Sequence, residues 1–196
     1  MNKKVLITGC ARSGTKYITY ILNELNFDVR HEFMGIDGIV SWLLADNSER
    51  PPWGPKEYDY KDFDIILHQV RNPINTISSC FTLNKRSMNY INKSLKIHNE
   101  KQLLEKLAIY WHKWNELAEA KSKWTYCIEN ISIVYPMFCK YLNVPIKEIN
   151  FRTEMNTRKN NKKYTNILYE QIHQVDESLY HALVNQAKRY GYEDIV

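Results

Sequence analysis

Apolar positions along the chain follow two different periods. Short, nearly continuous apolar runs predict buried strands, and they fall within 5–9, 26–32, 64–70 and 124–128. Segments with an apolar residue every three or four positions predict amphipathic helices, and they fall within 17–25, 73–81, 101–121, 133–142 and 176–189. Strands that alternate with helices indicate parallel strands, hence a three-layer α/β/α fold around a central parallel sheet.

Three segments interrupt this alternation. Apolar residues at 39–44 follow a loop at 35–38 and predict a short buried helix. The proline-rich stretch 51–55 cannot continue a helix or a central strand, so we expect it to cross the surface. The basic segment 84–101 has two interpretations, a solvated face or a mobile flap over an anionic ligand.

The composition narrows the class of protein. The chain has 196 residues, with five tryptophans and fourteen tyrosines, and we interpret residues 1–196 as a single domain with a substantial core. A net charge of +5 suits an anionic ligand but does not by itself indicate nucleic acid as a partner. The four cysteines lack metal-site spacing, so neither a zinc site nor a disulfide framework is expected. We expect a cytoplasmic protein, because neither a signal-peptide core nor a membrane span is visible.

One stretch near the start of the chain joins a strand, a glycine-containing loop and a helix. This geometry gathers unpaired backbone N–H groups at a helix N-terminus, where they can bind an anion. The loop also carries side chains that donate hydrogen bonds to phosphates, namely Arg12, Ser13, Thr15 and Lys16. An ordinary tight turn with a solvated arginine and lysine is the alternative.

The loop is close to the Walker A pattern and departs from it at one position. Gly9 and Gly14 have the required spacing, but Thr15 follows Gly14 and Lys16 comes one place late. A shift of one residue turns a side chain by about 100° around a helix. The departure therefore weakens the interpretation as a P-loop kinase or NTPase, which stays an alternative.

Polar residues also follow the other predicted strands where each strand ends. These residues are the pair His31-Glu32, Arg71 and the pair Glu129-Asn130. Because the carboxyl ends of parallel strands share one edge of a sheet, we expect these residues and the first loop to face one crevice. Cations at two separate strand ends favour a ligand with two separated phosphates.

Two of these stretches resemble motifs of the sulfotransferases that use 3′-phosphoadenosine 5′-phosphosulfate. The family's 5′-phosphosulfate loop reads Pro-Lys-Ser-Gly-Thr-Thr or Pro-Arg-Ser-Gly-Thr-Thr, and residues 11–16 read Ala-Arg-Ser-Gly-Thr-Lys. The family's 3′-phosphate motif is an apolar strand, then Arg-Asn-Pro, with a serine eight residues after the arginine. Here Arg71 opens that motif after the run 65–70, and Ser79 is the serine, with Ser78 as a neighbouring alternative.

The resemblance implies a P-loop NTPase-like fold and an in-line transfer of a sulfuryl group to an acceptor hydroxyl of a glycan, lipid or small alcohol, without a metal. It implies that the 5′-phosphosulfate is bound by Arg12, Ser13, Gly14, Thr15 and Lys16. It implies that the 3′-phosphate is bound by Arg71 and Ser79, with Arg158-Lys159 where the family often has an Arg-Lys pair. Arg12 would bridge the leaving phosphate and the moving sulfuryl group.

An acceptor hydroxyl needs a general base, and several branches of the family use a Glu or His early in the chain. Glu32 and His31 are the candidates, because they follow the second predicted strand. Successive residues of an extended segment point to opposite sides, so we expect one of them to face the crevice and favour Glu32. The alternative for Glu32 and His31 is a solvated or salt-bridged pair without a catalytic role. For the whole chain, a nucleotide-binding protein without catalysis is the third hypothesis, beside the sulfotransferase and the P-loop kinase or NTPase.

Overall fold

A computed structural model of the chain describes residues 3–46, 51, 53–55, 58–151 and 165–192. Within these residues five strands form one sheet, and every pairing between neighbouring strands is parallel. The strands are β1 (Val5–Gly9), β2 (Val29–His31), β3 (Gly38–Val40), β4 (Ile65–Val70) and β5 (Trp124–Cys127). Their order across the sheet is β2-β3-β1-β4-β5, which confirms the prediction of a parallel sheet.

Helices cover both faces of this sheet. They are α1 (Thr15–Glu24), α2 (Pro73–Cys80), α3 (Lys85–Ser94), α4 (Leu103–Glu119), α5 (Ile131–Leu142), α6 (Tyr169–Val175) and α7 (Glu177–Arg189). The apolar sides of α1 and α5 share a buried cluster with Ile7 and Leu67 on one face. The other five helices pack around Trp111 and Trp114 on the opposite face. The described residues therefore form an α/β fold with helical layers on both sides.

The chain leaves β1 and β4 in opposite directions across the sheet. After β1 it passes through α1 to β2, whereas after β4 it passes through α2, α3 and α4 to β5 on the other side. A crevice therefore opens between the loops that follow these two adjacent strands, which is where α/β folds bind ligands. Asn72 and Pro73 fix one wall, because the Asn72 side chain accepts from the Asn75 N–H and Pro73 occupies the first helical position of α2.

The segment after β2 differs from the prediction. The sequence predicts one buried helix over 39–44, whereas Gly38–Val40 forms β3 and Trp42–Ala45 forms a single 3₁₀ turn. All of these residues are buried, so their hydrophobic pattern has no polar position that separates a strand from a helix. Gly38 allows the close pairing, because a Cβ there would lie 1.9 Å from the Val5 carbonyl oxygen.

The basic segment 84–101 contains an anchored helix. α3 buries Ser87, Tyr90 and Ile91, and the Tyr90 ring packs against the Trp42 ring with centroids 5.8 Å apart. Lys85 and Lys93 of α3 thus lie on a helix whose other side belongs to the core. No helix in the described ranges has the length and apolar character needed to cross a bilayer.

Candidate functional site

The loop between β1 and α1 has a backbone conformation that few residues other than glycine adopt. Gly14 (φ 91°) and Arg12 (φ 69°) both lie in the left-handed region. Gly9 approaches the neighbouring strand so closely that a Cβ would lie 2.1 Å from the Gln69 carbonyl oxygen. Left-handed backbone at a non-glycine residue such as Arg12 is costly and is typical of functional sites.

Buried side chains from three elements hold this loop in place. The Gln69 side-chain amide on β4 donates to the Ser13 carbonyl oxygen at 2.7 Å, and the Tyr126 hydroxyl on β5 donates to Gln69 Oε1 at 2.9 Å. The Ala11 N–H donates to the Tyr110 hydroxyl on α4 at 2.6 Å. Because these groups are buried, losing one partner leaves a polar group unpaired at a cost of about 1–3 kcal/mol. The loop conformation is therefore strongly favoured by its surroundings.

The start of α1 offers hydrogen-bond donors to an anion. Within the described residues, no acceptor pairs with the backbone N–H groups of Gly14, Thr15 and Lys16. These groups lie at the positive end of the helix dipole. Arg12 contributes a buried Nε that also lacks a hydrogen-bond partner among the residues that the structure describes. The Nη2 of the same guanidinium donates to the Thr82 hydroxyl. Such a combination of backbone and guanidinium donors is suited to a phosphate or sulfate group.

The chain that follows β4 brings a second cation beside the loop. The Arg71 guanidinium donates through Nη1 to the Arg12 carbonyl oxygen at 3.1 Å, and the Trp111 indole N–H donates to the Arg71 carbonyl oxygen at 3.1 Å. Ser79 is buried in α2, where the Thr82 hydroxyl donates to its carbonyl oxygen at 2.8 Å. The two motifs that the sequence separates by about sixty residues are thus adjacent in the fold.

Glu32 and His31 complete the opposite wall. His31 ends β2, and its Nε2 lies 2.9 Å from the Thr15 hydroxyl. Glu32 follows with a left-handed backbone (φ 61°), and its Oε2 accepts a hydrogen bond from the Ser41 hydroxyl at 2.6 Å. The prediction that the two side chains point to opposite sides is wrong, because the left-handed turn at Glu32 interrupts the alternation of the strand. Both residues line the same cavity.

Burial changes the proton affinity of both groups. It raises the pKa of Glu32 from 4.5 to about 7, although hydrogen bonds from Ser41 and the Trp42 backbone act in the opposite direction. Burial and the positive charge of Lys16 lower the pKa of His31 from 6.5 to about 4. His31 is therefore neutral near pH 7, and the 3.7 Å approach of its Nε2 to Glu32 Oε1 is not an ion pair. A carboxylate with a pKa near 7 is suited to general-base catalysis.

These groups border one cavity of about 460 Å³, a volume typical of small-molecule sites. The cavity is lined by most of the residues predicted from sequence, which are Arg12, Gly14, Thr15, Lys16, His31, Glu32, Arg71 and Ser79. Its other walls are Ala11, Tyr17, Trp42, Thr82, Leu83 and Asn84. The loop, the second cation and the carboxylate thus share a single space.

Three residues predicted from sequence are not among those that line the cavity in the described ranges. Ser13 is buried beneath the loop, where its N–H donates to the Cys10 carbonyl oxygen, and it is not among the residues that line the cavity. Arg158 and Lys159 lie outside the described residues.

Glu129 also differs from the expectation that it faces the crevice. Its Oε1 accepts from the Asn72 backbone N–H at 3.0 Å, and its Oε2 accepts from the Tyr192 hydroxyl at 2.8 Å. The carboxylate of Glu129 therefore holds the start of α2 and the end of the described chain together. Neither Glu129 nor Asn130 lines the cavity.

Several contributors to the site were not predicted. Gln69 and His68 are the two polar residues inside an otherwise apolar strand run, and this interruption was the one available signal of the role of Gln69. Tyr110 and Trp42 cannot be distinguished by pattern from ordinary core aromatics. Ser41 gives no signal either, because its contact with Glu32 depends on the mispredicted β3.

Potential metal ligands in the described part of the chain do cluster at one place outside the cavity. His173, Glu177 and His181 are exposed, and their ligand atoms lie within 4.8 Å of one another. None of them lines the cavity, whose own donors suit an anion.

A scan against models of known protein families gives no match to this chain, and a search of curated proteins also gives none.

Proposed function

We propose that the chain is a sulfotransferase that moves a sulfuryl group from 3′-phosphoadenosine 5′-phosphosulfate to an acceptor hydroxyl. One observation carries the proposal: the anion-binding loop after β1, Arg71 after β4 and the carboxylate of Glu32 border the same cavity. A donor with phosphates at two positions requires two cationic regions. Transfer to a hydroxyl additionally requires a base. The finer relationship of the fold to P-loop NTPases is part of the same proposal.

The residues divide between the two ends of the donor. The unpaired N–H groups of Gly14, Thr15 and Lys16 fit the 5′-phosphosulfate, and Arg12 adds a guanidinium beside them. Arg71 fits the 3′-phosphate, since its guanidinium is a cation that follows the second strand and the residue lines the same cavity as the loop. Ser79 reaches the same cavity and would add a hydroxyl donor.

Glu32 then supplies the base. Its carboxylate accepts the proton of the acceptor hydroxyl while the acceptor oxygen forms a bond to sulfur. The bond between sulfur and the bridging phosphate oxygen breaks, and its electron pair leaves with adenosine 3′,5′-bisphosphate. Arg12 and the loop N–H groups stabilise the negative charge that accumulates on the leaving phosphate. His31 is neutral and hydrogen-bonded to Thr15, so it fits a positioning role better than that of the base.

A P-loop kinase or NTPase is supported less well by the same residues. Such enzymes place a carboxylate that holds Mg²⁺ at the end of a strand near the loop. The two strands that flank β1 are β3 and β4, and they are followed by Ser41 and Arg71. Lys16, one place later than a Walker lysine, lies in the first turn of α1.

Isothermal titration in EDTA tests the nucleotide. We expect adenosine 3′,5′-bisphosphate to bind about tenfold or more tightly than adenosine 5′-monophosphate, because the 3′-phosphate gains a charge-assisted contact. In Arg71→Ala the two nucleotides should bind alike, whereas Arg86→Ala, an exposed arginine on α3, should preserve the difference. In a parallel titration with Mg²⁺ in place of EDTA, binding of ATP that is tighter than binding of the bisphosphate would contradict the proposal. Transfer of ³⁵S from the donor to an alcohol separates the enzyme from a nucleotide-binding protein without catalysis.

A further inference from the structure

A second cavity, of about 560 Å³, also borders Glu32. Its other walls are Arg30, Phe33, Met34, Trp53, Gly54, Pro55 and Tyr58. Among the residues that line the two cavities, Glu32 is common to both. Its side chain is 20% exposed, whereas its Oε1 is buried and lacks a hydrogen-bond partner within the described residues. Glu32 therefore lies at the boundary between the cavities with an acceptor oxygen that the hydroxyl of a ligand would pair.

The second cavity exposes large aromatic side chains. Phe33 is 72% exposed and Trp53 is 44% exposed. Burial of their apolar rings would be energetically favourable. Aromatic groups that share one concave surface are typical of sites that a ligand covers. The cavity thus favours a ligand that presents an apolar, ring-shaped surface.

Buried clusters support both sides of this cavity. The Trp53 ring packs against Trp42 and Tyr90, with centroids 6.4 Å and 6.2 Å away. Met34 and Tyr58 pack against the buried cluster that contains Leu6, Ile39, Leu44, Phe63 and Ile66. Because its walls pack against the core, the cavity is already formed before a ligand binds. Few side chains then have to be ordered on binding, so the loss of conformational entropy is small.

The charge at this cavity does not favour an anion. Arg30 is a lining cation, and its Nε lies 3.4 Å from the Asp28 carboxylate, which offsets part of its charge. The carboxylate of Glu32 at the inner end would repel a negatively charged group when it is ionised. A neutral ligand therefore suits the two ends of the cavity.

We propose that the second cavity binds the acceptor, and that the acceptor is a neutral alcohol carried on an apolar ring. The hydroxyl contacts Glu32 and turns its oxygen toward the first cavity, and the ring lies against Trp53 and Phe33. This inference rests on the proposed sulfuryl transfer, because it assigns to Glu32 the proton of that hydroxyl. An anionic sugar acceptor is the competing outcome of the test.

Titration of the free chain with three probes tests the binding class without any nucleotide. The probes are 2-phenylethanol, 2-cyclohexylethanol and methyl glucuronide. We expect both ring alcohols to bind at least about tenfold more tightly than the charged sugar, and Trp53→Ala to weaken ring binding about tenfold. Trp53→Phe should restore most of the affinity. Met137→Ala is the matched control, because Met137 on α5 has the same 44% exposure and does not line the cavity.

Tighter binding of methyl glucuronide, or ring binding that Trp53→Ala leaves unchanged, would overturn the inference. Its failure is distinguishable from failure of the proposed function. A chain that binds adenosine 3′,5′-bisphosphate but no ring alcohol contradicts this inference alone, and one that binds ring alcohols but not the bisphosphate contradicts the sulfotransferase proposal. In the ³⁵S assay with 2-phenylethanol, Trp53→Ala should raise KM for the alcohol about tenfold while kcat and KM for the donor change less than about twofold.

Discussion

The loop that ends β1 and the turn that ends β2 face the same cavity but are held in different ways. The loop lies on the central strand of the sheet and is fixed by buried hydrogen bonds from Gln69 and Tyr110. The turn follows a three-residue edge strand and buries the carboxylate of Glu32. Burial disfavours the ionised form of this carboxylate, as its raised pKa indicates. We infer that the loop after β1, the anion-binding half of the site, contributes to the stability of the fold. The turn after β2, the half that contains Glu32, reduces it.

The largest expected effect is on the reaction itself. Replacing Glu32 with glutamine keeps the shape of the side chain and removes the group that accepts a proton, so we expect kcat to fall about 10²–10⁴-fold. In the unmodified protein kcat/KM should rise with pH up to about 7, as Glu32 ionises, and this rise should be absent from the variant. Rates of ³⁵S transfer from pH 5 to pH 9 check both expectations.

The control for this measurement is Glu100→Gln, at an exposed position outside the cavity. It should leave both the rate and its pH dependence unchanged. A Glu32→Gln protein with the turnover of the unmodified chain would remove Glu32 as the base.

The same substitution should stabilise the fold at alkaline pH. Folding raises the pKa of Glu32 from 4.5 to about 7, so the folded state binds a proton more tightly than the unfolded state does. The unmodified protein therefore loses stability as pH rises from about 4.5 to 7, up to roughly 3 kcal/mol, and Glu32→Gln escapes this loss. We expect the variant to be more stable at pH 8 by about that amount and no more stable at pH 4.

Urea unfolding of both proteins at the two pH values measures this difference. His31 titrates in both proteins, so its contribution cancels to first order. An equal stability of the two proteins at pH 8 would show that the carboxylate of Glu32 is not destabilising, and the contrast between the two halves would fail.

The smallest effect tests the other half of the contrast. Tyr110→Phe removes the hydroxyl that accepts the Ala11 N–H and leaves that buried donor unpaired, so we expect unfolding free energy to fall by about 1–3 kcal/mol. The loss should be the same at pH 5 and pH 8. Tyr141→Phe is the control, because the Tyr141 hydroxyl has no hydrogen-bond partner in the described residues. Equal stability of the two variants would contradict the structural role of Tyr110.

The parts of the site that sequence predicts are those with a local signature. The strand, loop and helix around Gly14 are contiguous in the chain, and the apolar strand before Arg71 fixes which end of the sheet that residue occupies. Ser79 lies in α2, the helix that directly follows this strand, so it is placed at the same end of the sheet. Parallel packing then brings both segments to one edge of the sheet, as the fold class predicts. Their proximity along that edge also depends on the pairing of β1 with β4, which the sequence does not predict.

The parts that sequence does not predict depend on contacts between distant segments. Ala11 and Tyr110 are separated by 99 positions, and Ser13 and Gln69 by 56, so no local pattern connects them. The backbone at Glu32 is another case, because a left-handed glutamate has no signature in composition or periodicity. The sequence favours Glu32 as the residue that faces the crevice, but it does not predict that His31 lines the same cavity beside it.

The hydrogen bond between Ala11 and Tyr110 has a consequence for exchange of the loop amides with solvent. The Ala11 amide belongs to a loop, yet it can exchange only when the packing around α4 opens, as a core amide does. The amides of Gly14, Thr15 and Lys16, a few positions later, have no such protection within the described residues. Slowly and rapidly exchanging amides thus lie within a few residues of each other in this loop. A bound anion would accept hydrogen bonds from the rapidly exchanging amides and slow their exchange.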